Sequence, residues 1–459
     1  MTYDYDITVI GGGPGGYVAA IRAAQEGKKT CLVERGRLGG VCLNEGCIPT
    51  KTLIRTANVL HEVTHATDFA VEGVDPTLVR VSMPALQKRK SRVVNRLVGG
   101  VKALLKNNKV TVVEATASFV DAHTITAGGQ TISSESFIIA TGSQALVPAF
   151  IRQEGVNTLL TSREALNLET LPESVVIIGG GVIGIEFAYL FNRLGCTVTV
   201  LELLDHILPM VDEEVSDMAR KRLSKDGVTI FTGARVQLVR DNTVVYELNG
   251  AQAEVRADAV LMAVGRVPDL AGLNVEVTGL AVERGAIVTD VHLRTSVPHI
   301  YAIGDVNAKV MLAHTASHEG LVAVENLCGR EAVMHYHTIP SCIYLDPEIA
   351  SIGLTEKQAR EQRPTVKVGK FPMAANGKAL VEGDTDGMMK VIVDGDSGEI
   401  LGAHLYGKHV TDMIGELSLA MSLEAKAGDV IEAIHPHPTI NETLPEAFMA
   451  VYGKAINTL

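Results

Sequence analysis

The chain has 459 residues, 46% of them hydrophobic, which is enough for an ordered globular protein of about three domains at roughly 150 residues each. Its 41 basic and 53 acidic side chains give a formal net charge of −12, which argues against a general nucleic-acid binder. The first six residues are acidic where a secretory signal is basic, and the most apolar stretch, 175–191, contains Glu186 and four glycines. We therefore expect a soluble cytoplasmic protein, or one of the mitochondrial matrix if a targeting peptide has been removed.

A glycine-rich turn follows a strand-like run at residues 5–10 and opens an alanine-rich helix. In a βαβ unit that binds a dinucleotide, Gly11 would allow the tight turn, Gly13 the close approach of a pyrophosphate, and Gly16 the packing of the helix. The phosphates would lie at the helix N-terminus. The next strand-like run ends at Glu34, whose carboxylate would accept a ribose hydroxyl.

The same pattern recurs further along the chain, where Gly179 begins a second glycine-rich turn and a second strand-like run ends at Glu202. The offsets 179 − 11 and 202 − 34 both equal 168, so chance turns are an improbable account and two dinucleotides are predicted. A carboxylate at Glu202 would repel a 2′-phosphate, so NAD is favoured over NADP. The alternative is that Glu202 is only a surface residue at the end of a strand.

Two cysteines, Cys42 and Cys47, lie in the glycine-flanked segment 39–51 just before a predicted helix. Positions five apart face different sides of a regular helix, so the sulfurs can join only across a distorted first turn, which Gly46 and Pro49 would supply. A sulfur near a helix N-terminus favours the thiolate, and we interpret the pair as a redox dithiol.

Three other interpretations of the dithiol remain open. Half of a zinc site is disfavoured because the other four cysteines are scattered singly. A structural disulfide is disfavoured because a chain of this length buries a large core without one, and two core cysteines are disfavoured because the segment is polar. No metal is expected.

From about residue 340 the pattern changes to short alternating strands and helices, which predicts a separate α+β domain. Near its end His437 stands between two prolines that restrict the backbone, and Glu442 would orient its imidazole. Alone, such a histidine is more often a loop residue. A thiol-exchange site needs a base of near-neutral pKa, however, and no other His–Glu arrangement is so constrained in the sequence. A strand-like run ends at Asp305, which would hold a polyhydroxyl group of a cofactor unless it is a helix cap.

The chain resembles the class I pyridine-nucleotide disulfide oxidoreductases over essentially its whole length. The resemblance rests on motifs that occur in the family's order: the segment Gly39 to Lys51, both glycine fingerprints, Ala140-Thr141-Gly142, Gly304-Asp305 and the tail from His437 to Glu442. It implies an α/β fold with two Rossmann-like domains, for FAD and NAD, and a C-terminal α+β dimerisation domain. The implied boundaries are 1–145 for FAD, 146–270 for NAD, 271–340 for a central part completing the FAD site, and 341–459 for the interface.

The resemblance also implies roles for individual residues. Cys47 would face the flavin and Cys42 would exchange with substrate. Lys51 would pair with Glu186 beside the flavin. His437, held by Glu442, would be the base and would come from the other subunit of an obligate homodimer. The residues expected at FAD are Gly11, Gly13, Pro14, Gly15, Gly16, Glu34, Lys51, Thr141, Gly142, Gly304, Asp305, Met311 and Ala313. Those expected at NAD are Gly179, Gly181, Gly184, Glu202 and Gly265.

The activity that the resemblance implies is the oxidation of protein-bound dihydrolipoyl groups by NAD. The partners would be the lipoyl domains and acyltransferase core of 2-oxo acid dehydrogenase complexes, or a glycine cleavage system. One alternative is a reductase of glutathione or another small disulfide, although the arginines usual after the second fingerprint of such enzymes are missing. Another is a flavin-containing structural subunit whose dithiol is idle.

Overall fold

The computed structural model describes residues 2–149, 151–154 and 159–458. Strand β1 carries the fully or almost fully buried Ile7, Val9 and Ile10, and the alanines of α1 pack on the same sheet. Parallel pairing of β1 with β2 and β6 builds a sheet of order β3-β2-β1-β6-β5-β4. The elements are β1 (Tyr5–Ile10), α1 (Pro14–Gln25), β2 (Thr30–Glu34), α2 (Gly40–Glu45), α3 (Cys47–Thr64), α4 (Met83–Asn107), β3 (Thr111–Glu114), β4 (Ala117–Asp121), β5 (Thr124–Ala127), β6 (Gln130–Ile139) and β7 (Ser143–Ala145).

The next part of the chain repeats the βαβ unit. Strands β10 and β11 pair in parallel with Ile178 opposite Leu201, just as β1 and β2 place Ile10 opposite Val33, so the repeat keeps its register at the offset of 168. The parallel sheet has the order β12-β11-β10-β16-β9, and a second sheet has the order β15-β14-β13-β8. The elements are β8 (Arg152–Glu154), β9 (Leu159–Leu160), α5 (Ser162–Ala165), β10 (Ser174–Ile178), α6 (Val182–Arg193), β11 (Thr197–Leu201), α7 (Glu213–Lys225), β12 (Thr229–Phe231), β13 (Arg235–Arg240), β14 (Thr243–Leu248), β15 (Ala251–Arg256), β16 (Ala259–Met262) and β17 (Arg266–Pro268).

The chain then returns to the first sheet. Strand β20 pairs in parallel with β6, β17 pairs with β7, and α8 packs along α1. The elements are β18 (Val282–Glu283), β19 (Ala286–Ile287), β20 (Ile300–Ala302) and α8 (Ala313–Leu327).

An antiparallel sheet of order β21-β22-β25-β24-β23 forms the C-terminal part, with apolar faces of α11 and α13 on it. The α/β fold with two dinucleotide-type units and a C-terminal α+β unit is thereby confirmed. The residue boundaries given for the four parts stay a prediction. The elements are β21 (Ser341–Ile343), β22 (Glu348–Gly353), α9 (Glu356–Gln362), β23 (Val366–Pro372), α10 (Gly377–Glu382), β24 (Met388–Asp394), β25 (Ile400–Gly407), α11 (Val410–Ser422), α12 (Ala427–Glu432) and α13 (Thr443–Ala450).

Within the part of the chain that the structure describes, no helix combines the length and the apolar composition needed to cross a bilayer.

Ion pairs fasten both ends of α7 to the C-terminal sheet. Lys390 on β24 is 3% exposed and lies 2.7 Å from Asp212, the N-cap of α7, and 2.9 Å from Glu356. Burial acts to lower the pKa of Lys390, but its hydrogen bonds to the two carboxylates raise it to about 12. At the other end of α7, Arg222 lies 2.8 Å from Asp386. The second nucleotide unit is therefore fixed to the C-terminal unit through charge.

We expect Lys390→Met to lower the free energy of unfolding by about 3 kcal/mol, because it leaves the buried carboxylate of Asp212 without its counter-charge. Lys378→Met is the matched control, since among the described residues Lys378 pairs only with Glu382, at i,i+4. This substitution should cost at most about 0.5 kcal/mol. Urea unfolding followed by circular dichroism measures both variants. Equal losses in the two would contradict the stabilising role of Lys390.

Candidate active site

The two cysteines belong to two consecutive helices. Cys42 lies inside α2, and Cys47 is the first residue of α3. Between them Gly46 has φ −144° and ψ −110°, which is not helical, so the chain changes direction between the sulfurs. Pro49 stands in the first turn of α3, where its missing N–H leaves no intrahelical bond unmade. From the sequence both cysteines were placed in the glycine-flanked segment 39–51 just before a helix, and α2 was not recognised. Its six residues were too few to show a helical period.

The two thiols have different acidities. Both cysteines are free in this structure, and a hydrogen bond between their side chains favours the thiolate at Cys47. This bond, together with the Lys51 ammonium, lowers the pKa of Cys47 to about 7, although burial opposes the change. The same bond and burial raise the pKa of Cys42. Of the two thiols in the reduced pair, Cys47 therefore loses its proton first, while Cys42 keeps its own.

A partly buried ion pair lies beside the dithiol. Lys51, one turn after Cys47 on α3, places its Nζ 2.8 and 2.7 Å from the two carboxylate oxygens of Glu186 on α6. The Glu186 Oε1 also accepts the backbone N–H of Tyr344 at 3.0 Å, and the Lys51 Nζ stands 4.6 Å from the centre of the Tyr344 ring. Glu186 is 3% exposed, so these contacts offset the cost of burying its charge.

The strand-end carboxylates of the two fingerprints are held in the same way. Glu34 accepts the N–H of Gly12 at 2.5 Å and that of Gly36 at 2.6 Å. Glu202 accepts the N–H of Gly180 at 2.5 Å and that of Leu204 at 2.7 Å. In each unit the carboxylate closes its own glycine turn and stands at the strand end where a ribose would lie.

The first glycine of each turn has no room for a side chain. Gly11 has φ +107°, and a Cβ there would lie 2.2 Å from the carbonyl oxygen of Ala140. Gly179 has φ +108°, and its Cβ would lie 2.4 Å from the carbonyl oxygen of Ala263. Each turn is therefore pressed against the end of the neighbouring strand and leaves its outer face to a ligand.

One cavity of about 1720 Å³ connects both turns and the dithiol. A typical small-molecule pocket has roughly 300–1,000 Å³, so this cavity has room for more than one large ligand. Cys42, Cys47 and Glu186 line it. The residues predicted for FAD that line it are Gly11, Gly13, Pro14, Gly15, Glu34, Lys51, Thr141, Gly142, Gly304, Asp305, Met311 and Ala313. Those predicted for NAD that line it are Gly179, Gly181, Glu202 and Gly265.

Two predicted cofactor residues lie under the turns, outside the cavity lining. A Cβ on Gly16 would lie 1.8 Å from the carbonyl oxygen of Gly11, and one on Gly184 would lie 2.0 Å from that of Gly179. These glycines let each helix start close against its own turn, so their part in binding is indirect.

The wall of the first unit fits FAD. The buried hydroxyl of Thr141 has no hydrogen-bond partner among the described residues and lines the cavity. Two residues after Thr141, the hydroxyl of Ser143 donates to Asp305, and its oxygen accepts Arg266 Nε at 2.8 Å. An unpaired hydroxyl and an anchored carboxylate are the kind of groups that a polyhydroxyl chain and a polar ring would bind.

His437 lies apart from the dithiol within one chain. Its side chain is 79% exposed, its Nδ1 lies 2.9 Å from Glu442 Oε1, and neither residue lines the cavity. The predicted His–Glu contact is therefore present, but a single chain does not bring it to the sulfurs. The imidazole is open to a second molecule.

Several residues around these sites were missed by the sequence analysis. Arg266 and Tyr344 line the cavity, and the fully buried Glu319 hydrogen-bonds the turn that carries Asp305. A second His–Glu contact, His435 Nε2 to Glu416 Oε1 at 2.8 Å, stands next to the first. The residues in these contacts are far apart in sequence or belong to no motif. Only the Pro–His–Pro pattern around His437 indicated the His–Glu region from the sequence.

Removing the Lys51 charge should make Cys47 less acidic. In Lys51→Met the thiolate loses its nearby cation, so we expect the pKa of Cys47 to rise by about one unit or more from its value near 7. Alkylation of the reduced protein by iodoacetamide at a series of pH values, with Cys47 identified by mass spectrometry, measures the midpoint. Lys88→Met, on the exposed face of α4, should leave the midpoint unchanged. An unchanged midpoint in Lys51→Met would exclude the proposed charge effect.

Comparison with known proteins identifies the protein family and its relatives. The family described as pyridine nucleotide-disulphide oxidoreductase matches residues 5–320, and its dimerisation domain matches residues 339–448. Curated relatives named dihydrolipoyl dehydrogenase include one of Bacillus subtilis (strain 168), 40% identical over 98% of this chain and 99% of the relative, and one of Geobacillus stearothermophilus, 42% identical over 98% and 97%.

A solved structure, the HOCl-induced flavoprotein disulfide reductase RclA from Escherichia coli, is also similar. It is 31% identical with a TM-score of 0.85 over 97% of this chain and 99% of that one. The relationship and the use of FAD and NAD expected from the sequence are confirmed. The chain belongs to the pyridine nucleotide-disulphide oxidoreductase family, as an FAD- and NAD-linked disulfide oxidoreductase that carries the family's dimerisation domain.

Proposed function

We propose that the chain oxidises dihydrolipoyl groups with NAD⁺, forming lipoyl disulfide and NADH. The observation that carries this proposal is the position of the dithiol, whose two sulfurs line one cavity together with both nucleotide-type turns. Full-length relatives at about 40% identity are named for this activity. FAD, held by the first fingerprint and Asp305, would supply two-electron transfer between the dithiol and NAD⁺.

The residues of the chain have the following proposed roles. In the oxidised enzyme, Cys42 and Cys47 form a disulfide. His437 of the partner subunit takes a proton from one substrate thiol, and the thiolate attacks Cys42, so that the Cys42–Cys47 bond breaks and Cys47 leaves as a thiolate. The second substrate thiol then displaces Cys42, which closes the lipoyl disulfide and leaves the enzyme dithiol. Because a sulfur of lower pKa leaves more readily, the acidity of Cys47 suits this order of attack.

The second nucleotide site is proposed to prefer NAD. Both Glu202 oxygens are already held by backbone N–H groups, so the carboxylate is fixed where it would accept ribose hydroxyls and repel a 2′-phosphate. The residues that follow, Leu203 and Leu204, carry no charge. This wall disfavours the alternative of a reductase that uses NADPH.

The proposed partners are a second copy of the chain and the lipoyl-bearing complexes. The exposed His437 supports a site completed across two subunits, since among the described residues only Glu442 contacts its imidazole. Lipoyl domains and the acyltransferase core of 2-oxo acid dehydrogenase complexes, or a glycine cleavage system, would deliver the substrate. We place the activity in the cytoplasm, in line with the many bacterial relatives.

Two assays separate this function from its alternative. The first offers dihydrolipoamide with NAD⁺, and the second offers glutathione disulfide with NADPH. We expect kcat/KM in the first to exceed that in the second by at least about a hundredfold, because the Glu202 carboxylate would repel the 2′-phosphate of NADPH. Strong activity in the second assay alone would overturn the proposal.

Replacing the base should slow turnover. In His437→Gln we expect kcat with dihydrolipoamide to fall at least about a hundredfold, because proton removal from the substrate thiol loses its acceptor. His409→Gln is the control, since His409 is also exposed and lies 3.0 Å from Glu382, and it should keep full activity. A loss below about tenfold in His437→Gln would remove this residue from the role.

Coexpression tests which subunit supplies the base. A mixed dimer of His437→Gln and Cys47→Ser chains regains one complete site only if the base and the dithiol come from different subunits. No recovery of activity in the isolated mixed dimer would place both groups in one chain.

A further inference from the structure

A buried carboxylate stands behind the turn that carries Asp305 and has no part in the chemistry above. Glu319 on α8 is 0% exposed. Its Oε2 accepts the backbone N–H of Gly304 at 2.5 Å, and its Oε1 accepts the hydroxyl of Tyr336 at 2.7 Å. The side-chain amide of Asn307 lies 3.2 and 3.1 Å from the two oxygens. Among the described residues, both oxygens of this carboxylate therefore accept hydrogen bonds from neutral N–H and O–H groups.

Keeping this carboxylate in the interior is costly. No cationic side chain of the described chain makes an ion pair with Glu319, and burial raises its pKa although the three donors oppose the change. A buried carboxylate of this kind is retained where the contacts that it makes offset its desolvation. Two of the three donors, Gly304 and Asn307, lie on one short turn, Gly304–Asn307.

Helix α8 connects this turn to the first fingerprint. A Cβ on Gly320, the residue after Glu319, would lie 2.8 Å from the carbonyl oxygen of Gly15 at the start of α1. The hydroxyl of Ser317 donates to the carbonyl oxygen of Pro14 at 3.3 Å. One turn of α8 therefore contacts the phosphate-binding end of α1 and, through Glu319, the turn that contains Asp305.

We propose that Glu319 is a positioning residue for FAD, which fixes the Asp305 turn relative to the N-terminus of α1. The pyrophosphate of FAD would then bind at the N-terminus of α1 and its polyhydroxyl chain at the Asp305 turn, with the distance between these two sites fixed. This inference rests on the proposed placement of FAD between Gly13 and Asp305. It concerns binding only, so it can be tested without substrate.

Glu319→Gln is the informative substitution, because it keeps the size of the side chain and turns one acceptor into a donor that faces other donors. We expect the dissociation constant of FAD to rise at least about tenfold, measured from the flavin fluorescence released on dilution of the holoenzyme. The same variant, saturated with FAD, should bind NAD⁺ with unchanged affinity in isothermal titration calorimetry. A general loosening of the fold would weaken both cofactors.

Two further variants complete the test. Tyr336→Phe removes one donor and should raise the dissociation constant of FAD in the same direction but less, which keeps the inference testable if Glu319→Gln does not fold. Glu325→Gln, on the same helix at an exposed pair with Arg330, should not change it. Wild-type FAD affinity in Glu319→Gln, or an equal loss of FAD and NAD⁺ affinity, would overturn the inference. Absence of dihydrolipoamide oxidation with these FAD effects intact would instead refute the proposed function alone.

Discussion

The ion pair between Lys51 and Glu186 joins the parts of the molecule on which the chemistry depends. Lys51 belongs to the helix that begins with Cys47, and Glu186 belongs to the helix that follows the second nucleotide-type turn. The backbone N–H of Tyr344, next to the C-terminal sheet, donates to Glu186. The pair tolerates little displacement, because the buried Glu186 left alone would be an unpaired charge in the interior. The pair therefore holds the dithiol against the second unit, and its cation also favours the Cys47 thiolate.

Local chemistry explains why so much could be predicted from the sequence. In each unit the glycine turn and the strand-end carboxylate lie 22 residues apart and contact each other directly, so the motif describes nearly the whole local structure. Once the first unit was recognised, the constant offset of 168 positions located the glycine turn and the strand-end carboxylate of the second unit. The spacing from His437 to Glu442 was similarly local, and the contact between them is present.

Contacts between distant parts of the chain could not be predicted. Lys390 lies 178 residues from Asp212, and Glu416 lies 19 from His435, with no motif to mark either pair. Glu319 was overlooked because an acidic residue in a largely apolar helix carries no periodic signal, and its three donors lie on other segments. The separation of His437 from the sulfurs within one chain also follows from tertiary structure, so only the family resemblance indicated a second subunit.

The central claim is that electrons enter this protein through the two sulfurs. The most direct measurement is the rate of NADH formation from dihydrolipoamide and NAD⁺ by a Cys47→Ser variant that retains its full FAD content, with Cys328→Ser as the control. The account predicts that Cys47→Ser loses at least about 99% of the wild-type rate, a loss of the size seen when a reacting group is removed, while Cys328→Ser keeps it. A Cys47→Ser enzyme that forms NADH at the wild-type rate would contradict the account.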